Sequence, residues 1–133
     1  MKYLLDTSVC VELIRNRGGR TARRMAQRPA TDFALSSITV AELQYGAERS
    51  ARPPHQRQTL EKFLVPFRVL DFEFEATGAY GKIRVQLEAA GTPIGALDML
   101  IAAHAVSRDL ILLTRNLKEF KRVPGLKAED WTK

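Results

Sequence analysis

The chain contains little cysteine and little histidine: one cysteine and two histidines in 133 residues. The single cysteine, Cys10, cannot form an intrachain disulfide, which is typical of proteins in a reducing compartment. His55 falls in a predicted loop and His104 in an apolar helix, so no His/Cys cluster of the kind that binds zinc is present. A GxSxG motif is also absent, which argues against serine hydrolase chemistry of the elbow type.

Long hydrophobic runs are missing as well. No apolar stretch approaches the length needed to span a bilayer, and the few residues before Asp6 are too short for a signal peptide, so we expect a cytoplasmic protein. The composition, 45% hydrophobic and 27% charged, is that of a folded globule. At this length we expect one domain, residues 1–133.

Negative charge is scarce, and the formal net charge is +6. Residues 15–28 carry six arginines and no acid, which suggests a polyanionic partner such as nucleic acid. Charge alone leaves a second interpretation equally open, namely a solvated helix face.

Apolar segments of strand and helix type alternate along the chain. The predicted strands are KYLLD, DFALSSI, FRVLDF and LILLT, and the main predicted helices are TSVCVELIR, TVAELQYGAERS, residues 73–90 and ALDMLIAAHAVSRD. We predict a turn at Pro53 and Pro54, a short turn at NLKEF, and an irregular tail after it. This alternation predicts an α/β fold with a mostly parallel sheet covered by helices on both faces.

Four acids lie near predicted strand ends or helix starts: Asp6, Glu42, Asp98 and Glu119. In an open α/β sheet such positions converge on the edge formed by the carboxyl ends of the strands. Clustered carboxylates must either take up protons or share a cation. Ligands that are all oxygen favour Mg²⁺ or Mn²⁺.

Each acid also has a simpler interpretation as a helix cap. Asp6 suits an N-cap, Thr39 and Glu42 match a capping box, and Asn116 with Glu119 resembles one. Taken singly, capping is the better interpretation, and taken together a shared cation is favoured. An acidic metal site beside a basic surface suits phosphodiester hydrolysis, in which the metal lowers the pKa of a bound water.

The segments LLDTS, TVAEL, PIGALDMLIAAHA and LLTRNLKEFKRVPGL occur in that order, and with them the sequence resembles the PIN-domain ribonucleases, in particular VapC toxins of bacterial toxin–antitoxin pairs. The resemblance implies a PIN-like three-layer sandwich with about five parallel strands and a homodimer. It also implies an endoribonuclease that depends on Mg²⁺ or Mn²⁺, with one or two ions, and that a VapB-type antitoxin holds inactive. The anticodon loop of initiator tRNA is the substrate suggested by the members most similar to this chain.

Carried over residue by residue, Asp6, Glu42 and Asp98 match the metal-binding acids of the family. Many members have Asp where this chain has Asn116, and Glu119 in the NxxE arrangement looks like its substitute, with Asn116 as the alternative fourth ligand.

Three hydroxyl residues are expected to support these ligands from a second layer: Thr7, Ser8 and Thr114. Ser8 departs from the Asn common in the family, although a hydroxyl can still bond a metal-bound carboxylate. Arginines of residues 15–28, with Arg49 and Arg52, are candidates to position RNA phosphates. Those proposed as RNA-binding residues are Arg15, Arg17, Arg20, Arg23, Arg24 and Arg84.

Two other classes remain open from the residues alone. One is a non-catalytic module that binds RNA, in which the acids serve only as caps. The other is a phosphoacceptor domain, but the chain has Ser8 where a dehalogenase-like phosphatase needs its second Asp. Asp71, at the end of the third predicted strand, lacks the companions of a receiver domain.

Overall fold

The structure, a computed structural model, describes all of residues 1–133. Its five strands are β1 (Tyr3–Leu5), β2 (Phe33–Ser36), β3 (Arg68–Leu70), β4 (Ile111–Leu113) and β5 (Ala128–Glu129). Its seven α-helices are α1 (Thr7–Arg15), α2 (Arg20–Met25), α3 (Ser37–Glu48), α4 (Pro53–Leu64), α5 (Phe74–Ala89), α6 (Ala96–Ser107) and α7 (Leu117–Phe120). No helix is long and apolar enough to cross a membrane.

The strands form one sheet in the order β3-β2-β1-β4-β5, and every neighbouring pair is parallel. The predicted α/β class with a parallel sheet of about five strands is therefore confirmed. From β1 the chain passes to β2 and β3 on one side and later to β4 and β5 on the other. The carboxyl ends of β1 and β4 thus form a topological switch point, where ligands of such sheets bind.

Alternate strand residues point to opposite faces of the sheet, and both faces are buried. Leu4 and Leu112 pack beneath α5 and α6, whereas Leu5, Leu35 and Leu113 pack with residues of α1, α3 and α4. Burial on both faces explains why the central strands read as continuous apolar runs in the sequence. These short, fully buried strands provide a rigid base for the loops at their ends.

Two elements differ from the sequence prediction. The tail forms β5, whose two residues pair with Leu112 and Leu113, because the buried Trp131 just beyond it anchors an otherwise polar segment. Pro53 and Pro54 do not form a separate turn but begin α4, since the first turn of a helix does not need their missing N–H groups. NLKEF contains a single helical turn, α7.

The capping interpretation holds for one acid and is wrong for two. The side chain of Asp6 caps α1 by accepting a hydrogen bond from the backbone N–H of Val9 at 2.9 Å. Helix α3 begins earlier than predicted, with Ser36 as its N-cap, so Thr39 lies inside the helix and Glu42 belongs to no capping box.

Asn116 occupies the N-cap position of α7 without any side-chain capping bond. Neither Glu42 nor Glu119 is therefore used to cap a helix.

Candidate active site

Asp6 follows β1 directly and is almost completely buried, with 2% of its surface exposed. Its Oδ1 accepts hydrogen bonds from Ser8 Oγ at 2.7 Å and from Val9 N at 2.9 Å, and its Oδ2 accepts one from Thr114 Oγ1 at 2.5 Å. Burial raises the pKa of Asp6, the hydrogen bonds from Ser8, Thr114 and Val9 oppose this, and the charge of Glu42 adds to the increase. Both oxygens are thus held in fixed directions at the switch point.

The hydroxyls that hold Asp6 are themselves held by the loop after β4. The backbone N–H of Asn116 donates to Thr114 Oγ1 at 2.9 Å, and the backbone N–H of Arg115 donates to Ser8 Oγ at 3.1 Å. Each hydroxyl can therefore accept from the loop and donate to the carboxylate at once. This network joins the start of α1 to the end of β4 across the switch point.

Glu42 reaches the same region from α3. Its Oε1 accepts a hydrogen bond from Thr7 Oγ1 at 2.6 Å, and Thr7 is the residue next to Asp6. The Glu42 side chain is half-buried and close enough to Asp6 for its charge to raise the pKa of that residue. Each of Thr7, Ser8 and Thr114 thus donates a hydrogen bond to an acid of the site.

Asp98 lies in the first turn of α6, and its half-buried carboxylate receives no hydrogen bond from the protein. Desolvation, followed by the charges of Glu119, Glu42 and Asp6 in that order, raises the pKa of Asp98 to about 6. The influence of the other three acids means that the fold brings together all four carboxylates singled out in the sequence.

The donor set of this site fits a hard divalent cation. Its groups are carboxylate oxygens, which Mg²⁺ and Mn²⁺ prefer. The pKa of Asp98 is raised by desolvation and then by repulsion from the other acids, and a bound cation would offset both effects. As they stand, no three of the His, Cys, Asp and Glu side chains lie close enough to enclose an ion. The carboxylates that could close round one are Asp6, Glu42, Asp98 and Glu119.

Glu119 and Asn116 differ as candidates for the fourth ligand. Glu119, in α7, makes the largest charge contribution to the raised pKa of Asp98. The side chain of Asn116 is exposed and forms no hydrogen bond, and its backbone N–H is bound to Thr114 Oγ1. The electrostatics therefore favour Glu119.

His104 is buried in the last turn of α6, the apolar helix in which the sequence places it. Its Nδ1 lies 2.8 Å from Ser36 Oγ, so the imidazole links the helix of Asp98 to the N-cap of the helix of Glu42. Burial, followed by the charge of Arg108, lowers the pKa of His104. Sequence reasoning missed this link, because nothing local indicates that residues 36 and 104 meet.

Arg24, one of the arginines proposed to bind RNA, and Arg28 of the same basic segment stack on aromatic rings at the opposite edge of the sheet. The guanidinium of Arg24 stacks 4.6 Å from the ring centre of Trp131, and that of Arg28 lies 5.0 Å from the ring centre of Tyr3. Arg28 also pairs with Asp32 at 3.6 Å. Because Tyr3 is the first residue of β1, these contacts are at the amino edge, away from the carboxylates.

The remaining arginines of that group fall into two sets. On α5, Arg84 donates to the hydroxyl oxygen of Tyr80 at 2.6 Å and to Glu88 at 3.2 Å. The others are exposed and form no ion pair: Arg15, Arg17, Arg20 and Arg23.

The family model described as PIN domain matches residues 3–126. The tRNA(fMet)-specific endonuclease VapC of Salmonella typhimurium is 40% identical over 98% of both chains, and ribonuclease VapC2 of Rickettsia felis is 39% identical over the full length of both. The toxin fold in the crystal structure of DNA-bound VapBC from Salmonella typhimurium is also similar, with a TM-score of 0.94, 40% identity and 98% of each chain covered.

Proposed function

The chain belongs to the PIN-domain family and, within it, to the VapC ribonucleases, and we propose that it is a divalent-metal-dependent endoribonuclease that cleaves initiator tRNA in the anticodon loop. In this proposal the whole chain, residues 1–133, acts as one PIN domain in the cytoplasm, where its substrate is found. The proposed metal ligands are Asp6, Glu42, Asp98 and Glu119, for one or two Mg²⁺ or Mn²⁺ ions.

The observation that carries the metal-dependent mechanism is the gathering of four acids at one edge of the sheet, where partial burial, followed by the charges of Glu119, Glu42 and Asp6, raises the pKa of Asp98 to about 6. A protein gains nothing for stability by collecting carboxylates at one edge, and a perturbed group in such a position marks a candidate functional site. The helix-cap explanation accounts for Asp6 alone. A shared cation accounts for all four acids.

The chain supplies orientation and charge for phosphodiester hydrolysis. A bound divalent cation supplies Lewis acidity toward phosphate oxygens and makes a nucleophile available from water at neutral pH. Thr114 and Ser8 hold the two oxygens of Asp6 in place, and Thr7 holds Glu42, so that these ligands need little reorganisation when an ion binds. Asp98, free of protein donors, keeps its oxygens available.

We also propose that the chain is the toxin of a pair with a VapB-type antitoxin and that it forms a homodimer. Structures similar to it are described as VapBC complexes, including VapBC-1 of Haemophilus influenzae, which is 36% identical with a TM-score of 0.91. A net charge of +6 favours association with an acidic peptide segment.

The test is cleavage of initiator tRNA and elongator methionine tRNA by the purified chain, free of antitoxin, with Mn²⁺, Mg²⁺ or EDTA. Asp98→Asn, prepared identically, is the matched control because it removes a ligand charge at nearly constant shape. We expect metal-dependent cuts in the anticodon loop of initiator tRNA. The rate should fall by roughly 100- to 1,000-fold in the variant, on the scale expected when one electrostatic group of an active site is lost.

Cleavage of both tRNAs would retain the nuclease and remove the substrate assignment. Equal activity with EDTA or in Asp98→Asn would contradict the metal-dependent mechanism. Binding of RNA without cleavage would support the non-catalytic module instead.

A further inference from the structure

The carboxyl edge of the sheet, with its four acids, disfavours the binding of RNA by itself. Four carboxylates repel a phosphate, and even with a divalent cation bound the cluster needs positive charge beside it to hold a polyanion. None of the arginines singled out in the sequence is bonded to the acidic cluster: Arg15, Arg17, Arg20 and Arg23 are exposed and form no ion pair, and the other three are bonded elsewhere. Arg24 and Arg28 are stacked on aromatic rings at the amino edge, and Arg84 is bonded to Tyr80 and Glu88 on α5.

Arg115 is attached directly to the site. It follows Thr114, which donates to Asp6, and its own backbone N–H donates to Ser8 Oγ, which donates to the other oxygen of Asp6. Its backbone is thereby fixed on the network that orients Asp6. Because only the backbone N–H of Arg115 makes this contact, its guanidinium remains available to bind a ligand.

The guanidinium of Arg115 has no partner within the protein. The residue is exposed, and its side chain forms neither an ion pair nor a hydrogen bond. The acid whose pKa it influences is Asp130: burial raises that pKa, but hydrogen bonds from Thr132 and the charges of Lys133 and Arg115 bring it below its usual value. The Asp130 carboxylate is already bonded to the hydroxyl and N–H of Thr132, so it does not fix Arg115.

We propose that Arg115 binds the phosphate of the RNA that lies at the carboxylate cluster. This inference rests on the proposed nuclease function and names a substrate-binding residue for it. A guanidinium offers two parallel N–H donors to a phosphate, which neutralises charge and fixes orientation together. The hydrogen bond from the backbone N–H of Arg115 to Ser8 Oγ fixes the start of this long side chain one residue from Thr114, which donates to Asp6.

The test compares Arg115→Ala, Arg115→Lys and Arg108→Ala. Arg108 is the matched control because it is exposed, forms no ion pair, and lies three residues before β4, at the amino edge of the sheet. Both alanine variants remove one positive charge. The readouts are kcat/KM for initiator tRNA with Mn²⁺ and the salt dependence of tRNA binding, the latter measured in proteins that also carry Asp98→Asn so that the RNA stays intact.

We expect Arg115→Ala to lower kcat/KM by roughly 10- to 100-fold, as for loss of a charge-assisted hydrogen bond, and to reduce the slope of log K against log salt by about one. Arg115→Lys should restore the slope but only part of the rate, since it keeps the charge without the paired donors. Arg108→Ala should leave the rate within about twofold of wild type.

Equal behaviour of Arg115→Ala and Arg108→Ala in both assays would overturn the proposal, and unchanged melting temperatures would exclude misfolding as the cause of any loss. If the wild-type protein failed to cleave RNA, the proposed function would fail. The binding slope would then still decide whether Arg115 contacts phosphate.

Discussion

Charged side chains at the two edges of the central sheet have different kinds of neighbour, although only the three residues of β1 separate these edges. At the amino edge, Tyr3, Phe33 and Trp131 form an aromatic cluster, with Tyr3 and Trp131 ring centres 4.9 Å apart. Arg24 and Arg28 stack on these rings. The charges of these two arginines therefore have favourable neighbours within the protein.

At the carboxyl edge the four acids carry charge of the same sign, and burial together with the neighbouring acids raises the pKa of Asp6 and of Asp98. Asp98 is half-buried, receives no hydrogen bond, and has a pKa raised to about 6 by desolvation and by Glu119, Glu42 and Asp6. The difference teaches that charge is used in two ways in this chain. The arginines stacked at the amino edge stabilise the fold, whereas the four acids at the other edge form no ion pair, which is the pattern of a candidate binding site.

Removal of the aromatic cluster's central ring should have the largest effect on stability. Trp131 is buried, with 4% of its surface exposed, and Trp131→Ala should lower the free energy of unfolding by about 3 kcal/mol. Urea denaturation measures this loss, and Trp131→Phe, which keeps most of the packing, should lose less than half as much. A loss below about 1 kcal/mol would mean that the amino edge does not depend on this ring.

The identity of the fourth metal ligand can be tested by comparing two residues at the carboxyl edge, Glu119 and Asn116. Glu119→Gln should weaken Mn²⁺ binding by tenfold or more, because it removes a charge that acts on Asp98, whereas Asn116→Ala should change it by less than threefold. Both constants can be measured by calorimetric titration of the metal-free proteins. The opposite ranking would assign the fourth position to Asn116.

The smallest expected effect is a dependence of stability on pH at Asp98. Its pKa in the folded protein, about 6, exceeds the ordinary 3.8, so the folded state binds the proton more tightly and this contribution is lost as pH rises toward and through 6. Without metal, Asp98→Asn should therefore be more stable than wild type above pH 6. The advantage should vanish below pH 3.8.

Asp109→Asn is the control for this comparison. Asp109 is exposed, and its Oδ1 lies 3.6 Å from Nζ of Lys127. Its backbone φ is +52°, a conformation that Asn also tolerates. It should show no such gain at high pH. A gain at Asp98 that did not depend on pH would contradict the electrostatic explanation.

The sheet and its acidic edge were predictable because their signals are local. The fully buried runs ending at Leu5 and Leu113 are typical of parallel strands, and Gly91, with φ of +69°, lies just beyond α5 as a helix-ending glycine should. Parallel strands bring their carboxyl ends together, so Asp6 could be placed near the end of LILLT from topology alone.

Other features depend on contacts between distant residues, which no local pattern encodes. Strand β5 is too short and polar to recognise without knowing that Trp131 packs on Tyr3. The link between His104 and Ser36 and the stacking of Arg24 on Trp131 likewise arise only when the chain folds. For that reason the arginine-rich segment indicated a basic surface but could not indicate which arginines are free.

The central claim, that the four carboxylates share a divalent cation, is tested most directly by Mn²⁺ titration of the metal-free wild-type protein and of Asp98→Asn at pH 7.5. We predict saturable binding of one or two ions to the wild-type protein, accompanied by a rise in melting temperature, and a large loss of both in the variant. Equal binding by the two proteins, or no binding to either, would contradict the claim and leave the acidic edge without a cation to share.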